Sequence, residues 1–166
     1  MDFQLFQIIN NLAEKNIWLD SFIMFCAEYL IFVLILIVIY LFFNFRKTNQ
    51  KYKLFFLASG SAVVSWLVNQ WIALFYFRQR PFITHDVIQL VHHSPSKSFP
   101  SDHTAVAFAL ALSIYLLNKK WGVIALIFAF FIAFSRIFCG LHYPLDILSG
   151  IITASASILL LRKIWK

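Results

Sequence analysis

The sequence predicts an all-α membrane protein: a polytopic bundle of about five transmembrane helices with an N-terminal helix at the interface, in one domain over residues 1–166. Two observations carry this. The chain is 61% hydrophobic and 13% charged, whereas a soluble domain is about 45–50% apolar and about 25% charged. Five apolar runs of near-spanning length follow one another, and the basic residues gather in the gaps between them.

Residues 2–14 place Phe3, Phe6, Ile9 and Leu12 at helical spacing with Gln and Asn between them. That pattern predicts a short amphipathic helix lying on the membrane through this apolar face. Met1-Asp2-Phe3-Gln4 lacks the basic stretch of a signal peptide, so the first strong apolar run is read as part of the mature chain. The runs cover 20–43, 52–77, 102–118, 121–138 and 143–161. At 1.5 Å per residue each approaches ~30 Å of hydrocarbon, the third and fourth falling somewhat short. A backbone inside lipid must bond to itself, so these runs are helices. They are too few for a barrel.

Arg46, Lys47, Lys51 and Lys53 fill the first gap, Lys119 and Lys120 lie between the third and fourth spans, and Arg162, Lys163 and Lys166 follow the last. With five spans all three groups fall on one side, the cytoplasmic one by the positive-inside rule. The N-terminus, residues 78–101 and the 139–143 connection then face outside the cell membrane. The net charge of +7 is thus largely topological. No basic tract interleaved with aromatics suggests a nucleic-acid partner. Cys26 and Cys139 lie in apolar segments and imply no disulfide framework.

Three polar clusters remain, all expected outside: Arg80-Pro81; Pro100-Ser101-Asp102-His103; and Ser135-Arg136, His142 and Asp146. Pro144 suits the first turn of a helix. Asp146, four residues beyond His142, then reaches the imidazole from one face, and a carboxylate on one ring nitrogen leaves the other free to attack. Arg136 and Arg80 can each fork two phosphate oxygens. Ser101 occupies an N-cap position, where free amides favour an anion, and His103 follows on the first turn. Two arginines, two histidines, one orienting carboxylate and two helix starts suit phosphoryl transfer without a metal or other cofactor.

Arg80-Pro81, Pro100-Ser101-x-His103 and Ser135-Arg136-x5-His142-x3-Asp146 resemble the three signature motifs of the type 2 phosphatidic acid phosphatase (PAP2) superfamily. Tyr76-Phe77-x-x-Arg80-Pro81-Phe82, Phe99-Pro100-Ser101-Asp102-His103 and Gly140-x-His142-Tyr143-Pro144-x-Asp146 look most like the bacterial undecaprenyl-diphosphatases of the bacitracin-resistance type. The resemblance implies that His142 is a nucleophile forming a phosphohistidine, that Asp146 orients it and that His103 protonates the leaving group. Arg80, Arg136 and Ser101, with the Asp102 position, would bind the phosphoryl group. It implies no metal, and an isoprenoid or phospholipid phosphate in the membrane as substrate. A phosphatidylglycerophosphate or phosphatidate phosphatase is the alternative within this class, and a non-catalytic phospholipid-binding protein the alternative outside it.

Two positions depart from the pattern. The family's Lys seven residues before Arg80 is Ala73 here, with Arg78 a candidate to supply the missing charge. Asp102 stands where Gly is common, and its carboxylate is expected to point away from the anion. His85, His92 and His93 are read as solvated loop residues, with headgroup contact as the alternative. Glu28, inside the first run, is read as hydrogen-bonded to a neighbouring helix, the alternative being a place near the site beside Arg78 or Arg136. Cys139 is read as packing, since no Arg stands six residues on for a thiol phosphatase.

Overall fold

The computed structural model describes residues 1–165, and Lys166 lies outside the described residues. The helices are α1 (Asp2–Asn10), α2 (Ile17–Glu28), α3 (Leu30–Asn44), α4 (Thr48–Phe75), α5 (Pro81–Thr84), α6 (Asp102–Leu117), α7 (Lys119–Phe138) and α8 (Pro144–Ile164). No strand occurs among the described residues. Three helices, α4, α7 and α8, are long and apolar enough to cross a membrane, and a fourth span results if the bent pair α2–α3 counts as one. α6 is apolar but has only 16 residues.

The run 20–43, expected as one span, is broken at Tyr29, and its halves meet at 51°. A side chain inserted into a helix ladder is a known cause of such breaks. The Ala27 carbonyl, which an unbroken helix would offer to residue 31, instead accepts from Arg136 Nη1 at 3.0 Å.

α6 is the hub, packed against α3, α4, α7 and α8. Ala105, Ala107, Ala109 and Ala111 are fully buried along it, and small residues let neighbouring backbones approach closely inside a membrane bundle. Gly150 of α8 shows how close: a Cβ there would lie 2.7 Å from the Ser101 carbonyl at the start of α6. That approach brings the Ser101 amide onto the Asp146 carbonyl at 3.0 Å, joining the starts of α6 and α8.

α1 is also turned differently from expectation. Phe6 is fully buried against Tyr143, Ile147, Ala133 and Ile137, and Phe3 and Ile9 pack on the same cluster. The face left exposed holds Leu5, Ile8 and Leu12. The helix is apolar on two sides, and the aromatic side docks on the bundle because it fits the groove between α7 and α8. Asn10 fixes its far end: its amide donates to the carbonyls of Ile88 (2.8 Å) and Phe138 (2.9 Å).

α4 and α7 end, and α6 and α8 begin, at one end of the bundle, where residues 76–101 and 139–143 gather. The basic groups at Arg46–Lys53, Lys119–Lys120 and Arg162–Lys163 therefore lie at the opposite end.

Candidate active site

The turn between α7 and α8 delivers His142. Gly140 closes it with φ +79, a left-handed conformation, and a Cβ there would collide with the Ile88 carbonyl. The amides of Leu141 and His142 both donate to the Arg136 carbonyl, at 3.0 and 3.1 Å, so nucleophile candidate and arginine share one helix end. Asp146 caps α8 by accepting the Tyr143 amide on Oδ2 at 2.9 Å. The same oxygen accepts Ser98 Oγ at 2.5 Å and lies 3.6 Å from His142 Nδ1. Oδ1 accepts Arg78 Nη1 at 2.9 Å.

These contacts set the tautomer of His142. Arg80 Nη1 stands 3.1 Å from Nε2, and a guanidinium only donates, so Nε2 carries the lone pair. Nδ1 keeps the proton on the side of Asp146 and Ser98. Burial lowers the ring from 6.5 to about 4, with Arg80 and Arg136 pressing the same way and Asp146 opposing them. The pair is thus a neutral imidazole beside a carboxylate rather than an ion pair. Burial also lowers Arg80 to about 10, which leaves it charged at neutral pH.

Arg136 Nη2 makes the matching contact with His103 Nδ1, at 3.4 Å. Both arginines are buried, each with a histidine on one arm and a backbone carbonyl, Leu141 or Ala27, as a further acceptor. Their Nε atoms have no protein partner, so each retains capacity to donate.

Two cavities adjoin here. One of about 120 Å³ is lined by Arg80, His93, Ser96, Lys97, Pro100, Asp102, His103 and His142. The other, about 270 Å³, opens beside the α2–α3 break and is lined by Ala27, Glu28, Tyr29, Val91, His92, His93, His103 and Arg136. His93 and His103 belong to both walls. A larger cavity of about 330 Å³, between α1 and residues 86–89, has no basic side chain in its lining and does not suit a phosphate. No group of three or more His, Cys, Asp or Glu side chains stands ready to hold a metal ion among the described residues.

The PAP2 superfamily profile matches residues 52–166, which include every residue of these motifs. The chain belongs to the PAP2 superfamily. Undecaprenyl-diphosphatase BcrC of Bacillus subtilis is 38% identical over 156 residues, 93% of this chain and 79% of that protein. The crystal structure of Aquifex aeolicus LpxE superposes with a TM-score of 0.80 at 30% identity, covering 98% of this chain and 94% of that one. A PAP2-type phosphatidylglycerolphosphate phosphatase from Bacillus subtilis gives a TM-score of 0.66 at 24% identity, over 97% and 84% of the two chains, and attests the fold. This PAP2 protein is a lipid phosphatase with several membrane-crossing helices.

Of the residues expected from sequence, Arg80, Asp102, His103 and His142 line the small cavity, Arg136 lines the adjoining one, and Asp146 sits behind His142. Ser101 does not line either cavity. Its Oγ caps α6 and accepts from Thr104 Oγ1 at 3.0 Å. Asp102 accepts from Asn69 Nδ2 (2.9 Å), Gln70 Nε2 (3.1 Å) and Lys97 Nζ (2.9 Å), and the Lys97 ammonium balances its charge beside the cavity. Arg78 does not supply the cation missing at Ala73. It pairs with Asp146 and Asp2, and Lys97 is the lysine in the cavity wall. Glu28 lies near the site, in the second cavity, as the alternative reading had it. No ion pair joins it to Arg136 or Arg78 among the described residues. His85 is exposed, as read, and it also stacks on Phe3 with centroids 3.9 Å apart and contacts Tyr143 Oη at 3.2 Å. Sequence reasoning missed Ser98, Lys97, Asn69 and Gln70. Ser98 and Lys97 adjoin the Pro100 motif, but nothing in their spacing marks them.

Proposed function

We propose that this protein removes the terminal phosphate of a lipid diphosphate, with undecaprenyl diphosphate as the favoured substrate, through a phosphohistidine on His142 at the outer face of the cell membrane. The observation that carries the mechanism is the polarity of the His142 ring: a proton on Nδ1 toward Asp146 and a lone pair on Nε2 in contact with Arg80. The resemblance to BcrC of Bacillus subtilis, named an undecaprenyl-diphosphatase, supports the substrate class. The basic residues at the far end of the bundle support the outward orientation of the site.

A phosphoryl group seated where the two cavities meet at His103 competes for Arg80 and Arg136 with the two histidines on which they rest. Drawn onto the phosphoryl oxygens, the guanidiniums free Nε2 of His142 and Nδ1 of His103. The Nε2 lone pair attacks phosphorus, the bond to the bridging oxygen breaks, and the electron pair leaves with the lipid phosphate. Asp146 stabilises the cationic ring formed. The amides of Asp102 and His103, in the first turn of α6, have no intrahelical acceptor and remain free to donate to the developing charge. Water then attacks the phosphorus, the P–N bond breaks, and His103 takes the water proton. Inorganic phosphate leaves and His142 is regenerated. When the leaving group is more basic, a protonated His103 also supplies its proton.

The test is phosphate release by purified protein from undecaprenyl diphosphate, phosphatidylglycerophosphate and phosphatidate, with trapping of labelled enzyme in alkaline detergent. The expected result is the highest kcat/KM on the diphosphate and an acid-labile phosphoenzyme that His142→Ala abolishes along with turnover. Turnover by His142→Ala at near wild-type rate refutes the mechanism, and preference for phosphatidate refutes the substrate.

A further inference from the structure

The carboxylate behind His142 is itself held from outside the three motifs. Asp146 is fully buried, and its Oδ1 meets Arg78 Nη1 at 2.9 Å. The other arm of Arg78, Nη2, meets Asp2 Oδ2 of α1 at 2.6 Å. Arg78 also lies over the Tyr143 ring, 3.7 Å from its centroid, and the Tyr143 amide is the one that Asp146 caps. The second oxygen of Asp2 accepts the Leu145 amide in the first turn of α8 at 3.0 Å. One carboxylate on α1 therefore grips both the guanidinium that holds Asp146 and the helix that carries it.

We propose that Asp2 and Arg78 are positioning residues of the reaction, linking the docked N-terminal helix to the nucleophile through Asp2, Arg78, Asp146 and His142. This rests on His142 being the nucleophile. A planar guanidinium with one arm on each carboxylate fixes their spacing and direction relative to each other, which a lysine cannot reproduce. With Arg78 in place, Asp146 keeps Oδ2 toward the imidazole. Without it, the carboxylate turns toward whatever donors remain, and the ring loses its register against phosphorus. Misplacement of that kind lowers the chemical step and leaves binding largely intact, because neither residue lines the phosphate cavity. Docking of α1 adds the second half of the link. Phe6, fully buried, fixes the helix against Tyr143 and Ile147, so the seat of α1 and the seat of the carboxylate are one structure.

The experiment compares kcat and KM on undecaprenyl diphosphate in one detergent for wild type, Asp2→Asn, Arg78→Gln, Arg78→Lys, the Asp2→Asn/Arg78→Gln double variant and His142→Ala. Thermal unfolding is followed in parallel. Arg78→Gln should lower kcat by about tenfold or more, the loss of a hydrogen bond to a charged group, with KM within about threefold. Asp2→Asn keeps an acceptor for the Leu145 amide but loses its charge toward Arg78, and should lower kcat by about threefold to tenfold. Arg78→Lys should recover part of the loss. The double variant should be no slower than Arg78→Gln alone, since Asp2 acts through Arg78. Multiplying losses in the double variant, or losses that follow the melting temperature with kcat per folded molecule unchanged, overturn the link. Wild-type kcat in Asp2→Asn and Arg78→Gln, with His142→Ala inactive, overturns it and leaves the nucleophile assignment standing. Turnover by His142→Ala removes that assignment itself.

Discussion

Ser98 offers a sharp test of how Asp146 is held. It is fully buried, and its hydroxyl donates to Asp146 Oδ2 at 2.5 Å while lying 3.4 Å from His142 Nδ1. Ser98→Ala removes one hydrogen bond to a charged group, a contact worth about 1.5–3 kcal/mol. The lower figure applies, because Oδ2 keeps the Tyr143 amide at 2.9 Å and Oδ1 keeps Arg78, so nothing is orphaned. At about 1.4 kcal/mol per factor of ten, the expected loss in kcat is about tenfold, with KM within about threefold since Ser98 does not line the cavity. The backbone should not move, because the Ser98 amide remains bonded to the Arg78 carbonyl at 2.8 Å. The assay is initial-rate phosphate release across a range of substrate. A kcat within twofold of wild type, or a loss confined to KM, refutes the reasoning.

His103→Asn should cost far more on phosphatidate than on undecaprenyl diphosphate, since an alkoxide leaving group needs the proton that a departing phosphate does not; equal losses reject this. Burial holds His142 at about 4 in the folded chain against 6.5 when free, so the unfolded chain binds the extra proton between those values. Stability is then full above about pH 6.5 and falls as pH drops toward 4, and a melting temperature unchanged between pH 7 and pH 5 contradicts it. A cysteine introduced by His93→Cys should react with a membrane-impermeant thiol reagent in intact cells while one from Asn49→Cys should not. Cys26 and Cys139 are buried and give little background, and the reverse pattern overturns the orientation.

The sequence is most legible where chemistry demands fixed residue types at fixed spacing. His142 and Asp146 meet because four residues make one helical turn and Pro144 starts the helix. The arginines end up beside the histidines because each stands at a helix end, Arg80 before α5 and Arg136 in the last turn of α7. The break at Tyr29 was hidden, because it depends on Arg136 capturing a carbonyl 109 positions away in the chain. The facing of α1 was hidden too, because Phe3 and Phe6 satisfy a membrane and a protein groove equally well. Ser98, Lys97 and Arg78 take their meaning from partners 48, 5 and 68 positions away. A serine or lysine in a polar loop has no periodicity to reveal such a partner.

The 16 residues of α6 have a mechanical consequence for the bilayer. At 1.5 Å per residue the helix is about 24 Å long, some 6 Å less than ~30 Å of hydrocarbon. If α6 crosses the membrane, the phosphate site proposed at its start would sit below the level of the surrounding headgroups, or the lipid around it would be drawn thin. Either way a substrate whose charge rides on a long tail meets the cradle without being lifted out of the leaflet. Mismatch of this size costs a fraction of a kcal/mol per Å, so turnover in vesicles becomes a function of acyl-chain length, fastest where the membrane is already thin.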